Sequence, residues 1–156
     1  MRGSLAALAA SAMLLTISAA THEARAGDGP EASGVVAGRQ AAMRMSGALV
    51  GAMKGAVTRN EDVKGQGFAA RSLAAWARAI PGMFPVGSGA GETEALPAVW
   101  SDRAGFEGKA ATYAAAAGKL AEAAKAGDAA AFSAALGEVQ GACKGCHDSY
   151  KKPDTH

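Results

Sequence analysis

A helical pattern is clearest in the last part of the sequence, where residues 127–153 read GDAAAFSAALGEVQGACKGCHDSYKKP. Apolar side chains recur there at steps of four and three, which places them on one face of an α-helix. They are Phe132, Leu136, Val139, Cys143, Cys146 and Tyr150. Gly127 is typical of the residue that follows a helix, Asp128 of an N-cap, and Pro153 of a stop signal. The pattern predicts a helix over about residues 129–152.

Three earlier segments show the same periodicity, over about residues 32–59, 61–84 and 97–125. We expect Asn60 to cap the second segment, and Pro97 to begin the third because its missing N–H would be unpaired there. No segment alternates as a β-strand does. These observations predict an all-α protein, an antiparallel four-helix bundle with two short connections and one longer, glycine-rich loop.

Length and charge limit the class of protein. A chain of 156 residues that is 49% hydrophobic and 19% charged has the size and composition of one globular domain. The 16 basic and 14 acidic residues leave a formal net charge of +2, and the basic residues are scattered along the chain. This distribution argues against a nucleic-acid-binding surface.

The N-terminal residues have the features of a cleaved secretory signal peptide. Arg2 provides a positive charge, residues 5–20 form an apolar run, and residues 24–26 read Ala-Arg-Ala, an A-x-A cleavage site. The alternative, a membrane anchor, needs about 20 apolar residues, which is longer than this run. We therefore predict that residues 1–26 are removed and that residues 27–156 form a periplasmic bacterial domain without stable membrane insertion.

The chemistry is concentrated in one motif of the last helix, Cys143-Lys144-Gly145-Cys146-His147. C-x-x-C-H is the attachment signature of a c-type haem, in which two thiols bind the vinyl groups of one porphyrin and the next residue offers an imidazole to the iron. Positions i, i+3 and i+4 share one face of a helix, and here it is the apolar face. A haem would therefore lie against the inner side of this helix.

Two other uses of the cysteines are open. A redox C-x-x-C is expected near a βαβ unit and a helix N-terminus, whereas this motif lies late in a helix. A structural zinc needs four ligands, and after residue 26 the chain offers only Cys143, Cys146, His147 and the terminal His156. A secreted, oxidising location also argues against a free thiol pair. We therefore favour one haem c, bound covalently through two thioether bonds.

The sixth coordination position of the iron has several candidates. His156 is a terminal residue and is a poor candidate for a fixed ligand. The sulfur candidates are Met43, Met45, Met53 and Met83. Met43 lies on the apolar face of the first helix, one turn after Arg39, whose guanidinium can pair with a haem propionate. Because methionine is also a common packing residue, the sequence leaves Met43 open between iron ligand and core filler.

The sequence resembles the class II cytochromes c, the cytochrome c′ family, which carry C-x-x-C-H near the C-terminus of a four-helix bundle. Four stretches carry the resemblance: Arg39-Gln40-x-x-Met43, Glu94-Ala95-Leu96-Pro97-x-Val99-Trp100-Ser101-Asp102, Gly127-Asp128, and Cys143-Lys144-Gly145-Cys146-His147-Asp148-x-Tyr150-Lys151. Together they extend over nearly all of the chain after residue 26.

The resemblance implies a role for each matching residue. Cys143 and Cys146 would bind haem covalently, His147 would be the proximal iron ligand, and Arg39, Gln40 and Glu94 would lie at the haem edge. The residue four positions after the proximal histidine is commonly arginine in the family and sits against the imidazole. Here it is Lys151, which keeps the positive charge but lacks the flat guanidinium.

Members of the family differ at the residue over the iron, where Met43 falls in this sequence. Low-spin members bind a methionine there and carry electrons, and high-spin, five-coordinate members bind nitric oxide or carbon monoxide. We predict an electron carrier, not an enzyme, because no paired carboxylates or Ser/His/Asp set lie near the motif. The alternatives are a gas-binding cytochrome c′ and a purely structural helical module. The resemblance also implies a homodimer formed through the first two helices, and the redox partner proteins are not identified by the sequence.

Overall fold

The computed structural model describes residues 30–153, so the predicted signal peptide lies outside the described residues. Within that range there are five α-helices, which are α1 (Pro30–Thr58), α2 (Gly67–Ala79), α3 (Ala98–Ser101), α4 (Arg103–Ala126) and α5 (Ala129–Tyr150). Short 3-10 helices, Val63–Gln66 and Ile80–Met83, extend α2 at its two ends. None of the described helices is long and apolar enough to cross a membrane.

The four long helices form the predicted antiparallel bundle, so the predicted fold is confirmed. Helices α4 and α5 pack most closely, and α2 also packs extensively against α4. Alanines at buried positions of α4 let the helix backbones approach, because interaxial distance depends on the side chains at the contact. The largest fully buried apolar side chains are Phe106, Phe132, Met53, Leu73, Leu120, Val99 and Val139.

The turn between α4 and α5 forms as the sequence predicts. Gly127 adopts a left-handed conformation with φ of 77°, and its N–H bonds the carbonyls of Ala123 and Ala124. The Asp128 carboxylate caps α5 by accepting a hydrogen bond from the Ala131 N–H at 2.9 Å. Glycine is favoured at this position because a left-handed conformation strains other residues.

Two boundary predictions were wrong. Asn60 is not an N-cap; it has a φ of 53° just after α1, and Asp62 caps the following 3-10 helix. The predicted third helix is divided at Asp102, whose φ of −117° and ψ of 56° interrupt the helical backbone. The Asp102 carboxylate caps α4 by accepting from the Gly105 N–H at 3.2 Å. Aspartate competes in this way with helical backbone hydrogen bonds and therefore favours a cap over a helix interior.

The last helix also ends earlier than predicted, at Tyr150. The next residues pair with the loop before α3 instead, since Lys151 forms an antiparallel bridge with Ala95. The Leu96 N–H donates to the Tyr150 carbonyl at 2.9 Å, and the Lys152 N–H donates to the Glu94 carbonyl at 2.7 Å. This pairing closes one end of the bundle beside the C-x-x-C-H motif.

Candidate haem site

A cavity of about 240 Å³ lies between α1, α4, α5 and the loop before α3. Its apolar wall includes Phe84, Val99 and Phe106. Six of the seven predicted site residues line it: Arg39, Gln40, Met43, Glu94, Cys146 and His147. The seventh, Cys143, is half-buried one turn earlier on α5 and packs against the hydrophobic core.

Both cysteines are free and half-buried in the structure. Burial is the main cause that raises the pKa of the Cys143 thiol. Burial also raises the pKa of Cys146, with a further increase from the charge of Cys143 and an opposing effect of Lys109. A redox-active C-x-x-C requires a lowered thiol pKa, so this environment argues against a disulfide-exchange site.

His147 follows Cys146 on α5 and is exposed, although it lines the cavity. Met43 faces the same cavity from α1 and is half-buried, whereas Met45 on that helix is 61% exposed. Of these two methionines, only Met43 therefore lines the cavity. Within residues 30–153, no group of three or more His, Cys, Asp or Glu side chains is arranged to hold a metal ion, and His156 lies outside that range.

One buried hydroxyl near Cys143 lacks a hydrogen bond. The Tyr113 hydroxyl is buried without a partner, and the nearby Ser46 hydroxyl donates to the Ala42 carbonyl at 2.8 Å instead. Burial, and then the charge of Cys143, raise the pKa of Tyr113. Leaving such a group unsatisfied costs about 1–3 kcal/mol. The cavity is lined by Cys146, Cys143 lies one turn earlier on the same helix, and the unpaired Tyr113 hydroxyl is near Cys143. This arrangement fits a large, mostly apolar group that carries polar atoms and binds both sulfurs.

Arg39 is almost fully buried, with 2% of its surface exposed. Its Nη1 donates to the Ser88 Oγ at 2.7 Å and to the Met83 carbonyl at 3.2 Å. Its Nη2 donates to the Ser88 carbonyl and to the Thr93 Oγ1, both at 2.7 Å. Burial lowers the pKa of Arg39. The guanidinium thus bonds the loop before α3, and the expected pairing with a haem propionate stays a prediction.

Two aromatic rings lie close to the Arg39 guanidinium, and the aromatic cluster continues along the cavity. The guanidinium carbon lies 4.3 Å from the Phe84 ring centre and 5.9 Å from that of Trp100. Phe84 packs edge-on against Phe106 at 5.0 Å, and Phe106 packs edge-on against Tyr150 at 5.5 Å. These geometries are the preferred ones for cation–π and aromatic pairs.

The other two predicted edge residues have polar partners that connect the loop before α3 with α1 and with the segment after α5. The Gln40 amide donates to the Glu92 carbonyl at 2.8 Å. The Lys151 ammonium lies 3.5 Å from the Glu94 carboxylate, and its side chain is only 23% exposed. The structure therefore places Lys151 in an ion pair with Glu94.

Three functional contacts were not predicted from the sequence. Ser88 and Thr93 lie in an irregular loop, and no local pattern connects them with Arg39, which is 49 and 54 residues away. The Tyr150 hydroxyl donates to the Asp102 carboxylate at 2.6 Å. That hydrogen bond, together with burial, raises the pKa of Tyr150 to about 12. In the sequence, Tyr150 lies on the apolar helix face and in one of the stretches that resemble the family, but neither signal indicates Asp102 as its partner.

Comparison with known proteins gives the family. The sequence profile described as cytochrome c′ matches residues 34–151, which include the cavity and the C-x-x-C-H motif. The chain belongs to the cytochrome c′ family. Proteins of this family carry covalently attached haem c, so the predicted cofactor is confirmed.

Two relatives illustrate the similarity in sequence. The cytochrome c′ of Pararhodospirillum photometricum is 38% identical over 119 residues, which cover 73% of this chain and 93% of the relative. A cytochrome c-554 of Cereibacter sphaeroides is 33% identical over 149 residues, or 92% of this chain and 97% of the relative. The similarity therefore extends over most of each protein.

Two solved structures illustrate the similarity in fold. A nitric oxide complex of a mutant cytochrome c prime from Alcaligenes xylosoxidans has a TM-score of 0.72 and 30% identity, covering 79% of this chain and 97% of that chain. A cytochrome c′ described as having an unusual ligand-controlled dimer dissociation has a TM-score of 0.74 and 27% identity, covering 80% of this chain and 99% of that chain.

Proposed function

We propose that this protein is a one-electron carrier in which Cys143 and Cys146 bind the haem through thioethers. In this proposal His147 is the proximal iron ligand and Met43 is the sixth. The observation that carries it is that Met43 on α1 and His147 on α5 line one apolar cavity that also contains Cys146. The haem iron supplies the one-electron couple, and no bond of a substrate is made or broken.

The protein side chains hold and bury the haem, and they do not themselves react. Cys143 and Cys146, three positions apart on α5, would hold the haem against that helix, and the rings of Phe84 and Phe106 line the cavity and would limit the access of water to it. A His/Met ligand pair and an apolar environment both favour the reduced iron. This arrangement suits a carrier that accepts and releases electrons at a high reduction potential.

The second candidate is a five-coordinate protein that binds or sequesters nitric oxide or carbon monoxide. It is supported by the nitric oxide complex among the similar structures. The half-buried state of Met43 also supports it, because an unbranched side chain with three rotatable bonds can line a pocket without binding the iron. The two candidates differ in whether the Met43 sulfur or an exogenous ligand occupies the sixth position.

Absorption spectra of the purified haem protein distinguish the candidates. We expect low-spin ferric and ferrous spectra with a weak sulfur-to-iron charge-transfer band in the ferric form and no change on adding carbon monoxide. Met43→Leu should then abolish that band and open the ferrous iron to carbon monoxide. Met45→Leu is the matched control, since Met45 lies on the same helix but is exposed. A high-spin wild-type spectrum that shifts with carbon monoxide would favour the gas-binding function.

The cellular location is a further part of the proposal. We propose that residues 1–26 direct secretion and that the mature protein begins at Gly27 in the periplasm. Mass spectrometry of protein from a periplasmic extract should give the mass of residues 27–156 plus one haem. Replacing both Ala24 and Ala26 with Asp should leave the leader attached, and an unchanged mature mass would contradict this cleavage site.

We also propose that the protein is a homodimer through α1. Ala41, Met45, Ala48 and Ala52 follow each other at helical spacing and are all exposed, which leaves a face of mostly small side chains for close helix contact. The dimer described for one similar structure supports the idea. Sedimentation analysis should show a dimer that Ala48→Glu converts to monomer, while Ala115→Glu on the exposed side of α4 leaves it intact.

A further inference from the structure

Arg39 lies at the centre of a hydrogen-bond network that joins α1 to the loop before α3. We call residues 83–96 the strap. Four hydrogen bonds of 2.7 to 3.2 Å link the Arg39 guanidinium to carbonyl and hydroxyl oxygens of Met83, Ser88 and Thr93 in the strap. Gln40, the next residue, adds a fifth link to the strap at 2.8 Å.

The other end of the strap is bound to the segment that follows the C-x-x-C-H motif. The backbone of Glu94 and Leu96 pairs with that of Tyr150 and Lys152. The Lys152 ammonium donates to the Thr93 carbonyl at 2.7 Å, so Thr93 receives one hydrogen bond from α1 and another from the end of α5. The strap therefore connects α1 with the helix that carries His147.

Arg39 is chemically suited to hold this connection. Burying its charge is costly, and the structure offsets that cost with four oxygen acceptors and the faces of two aromatic rings. The planar guanidinium presents five donors in a fixed fork, so it can satisfy several loop acceptors at once and hold them in one geometry. A lysine at this position would keep the charge and lose the fork.

Met43 lies one helical turn after Arg39, and residues at i and i+4 share a face of the helix. Helix α1 packs less extensively against its neighbours than α4 and α5 pack against each other, and the strap network is attached to α1 one turn before Met43, which lines the cavity. We propose that Arg39 is a positioning residue that acts through the strap to hold Met43 at a set distance from the His147 side of the cavity. This inference rests on the proposed haem site and concerns how Met43 is placed in it.

The test is a double-mutant cycle on the haem protein, with the association rate constant of carbon monoxide with the ferrous form as its readout. Arg39→Met should release Met43 and speed association by about tenfold, a typical size for coupling between sites. Arg39→Lys should have a smaller effect because the ammonium can still donate to some of the strap oxygens, although it lacks the fork. In a Met43→Ala background, Arg39→Met should have no further effect, because its action depends on Met43.

Two milder variants keep the test valid if Arg39→Met does not accumulate. Thr93→Val removes the hydroxyl that accepts from Arg39 and should speed association, whereas Thr93→Ser keeps that hydroxyl and should restore the wild-type rate. The inference is overturned if the Arg39 or Thr93 effect is as large in the Met43→Ala background as in the wild type. The proposed function itself fails separately, if the wild-type protein binds no covalent haem or if Met43→Ala alone changes neither the ferric spectrum nor the rate.

Discussion

The two sides of the cavity are held by different forces. On one side, α4 and α5 pack closely through buried apolar and alanine side chains. On the other side, α1 buries only Val36, Arg39, Met53 and Ala56 among its described side chains, and near the cavity polar contacts bind it to the strap. The face with His147 is therefore fixed mainly by non-directional packing, with hydrogen bonds added at the end of α5, whereas the face with Met43 is placed mainly by a few directional hydrogen bonds.

The largest effect is expected on haem attachment, at Cys146 on the closely packed side of the cavity. Cys146→Ser should leave the bundle folded but remove one of the two thioether bonds. Any haem that remains on the protein after acid extraction should then be attached through Cys143 alone. The measurement is the protein mass and absorbance after extraction, with Met45→Leu as the control that retains full haem. If Cys146→Ser kept a doubly attached haem, the assignment of the attachment residues would be wrong.

The difference in packing can be measured with two leucines. Leu120 on α4 is fully buried, and Leu49 on α1 is half-buried. Leu120→Ala should lower the free energy of unfolding by about 3–5 kcal/mol, because it deletes buried contacts and leaves a cavity. Leu49→Ala should cost about 1–2 kcal/mol, since part of its surface already faces water. Equal losses in denaturant unfolding would contradict the contrast between the two sides.

The same contrast explains what the sequence could predict. The apolar periodicity of α4 and α5 and the Gly127-Asp128 turn are local signals, and the structure confirms both. The break at Asp102 was missed because Trp100 and Phe106 continue the helical spacing across it, so periodicity alone did not reveal the cap. Arg39 was predicted to be near the cavity, but its partners Ser88 and Thr93 depend on how a distant irregular loop folds, which no local pattern encodes.

A smaller effect is expected at the turn that joins the packed pair. Gly127→Ala should lower the free energy of unfolding by about 1–2 kcal/mol, because alanine is strained in a left-handed conformation. A Cβ there would also approach the Lys64 side chain, which is long and can move away. Gly137→Ala on the exposed side of α5 is the control, since a Cβ at that helical position meets nothing and alanine favours helix. In thermal unfolding, the Tm of Gly137→Ala should therefore be higher than that of the wild type, and the Tm of Gly127→Ala should be lower.

The smallest effect concerns the hydrogen bond that joins the end of α5 to the start of α4. The Tyr150 hydroxyl donates to Asp102, and this bond is the first cause that raises the pKa of Tyr150 from its usual value near 10 to about 12. Because the unfolded tyrosine ionises first, the stabilisation is complete below about pH 10 and is lost as the pH rises towards 12. Tyr150→Phe removes the hydroxyl and with it this pH dependence. In unfolding curves measured at increasing pH, the difference in free energy of unfolding between wild type and Tyr150→Phe should therefore become smaller from about pH 10 towards pH 12.

The Tyr113 hydroxyl is present in both proteins, so its own alkaline titration cancels from the difference between wild type and Tyr150→Phe. Gly105 leaves room for the contact, because a Cβ at that position would overlap the Asp102 carboxylate and the Tyr150 hydroxyl. Gly105→Ala should therefore reproduce the loss of alkaline dependence even though both hydrogen-bonding partners remain. A constant difference between wild type and Tyr150→Phe from pH 8 to pH 12 would show that packing of the ring, rather than the hydrogen bond, holds the end of α5.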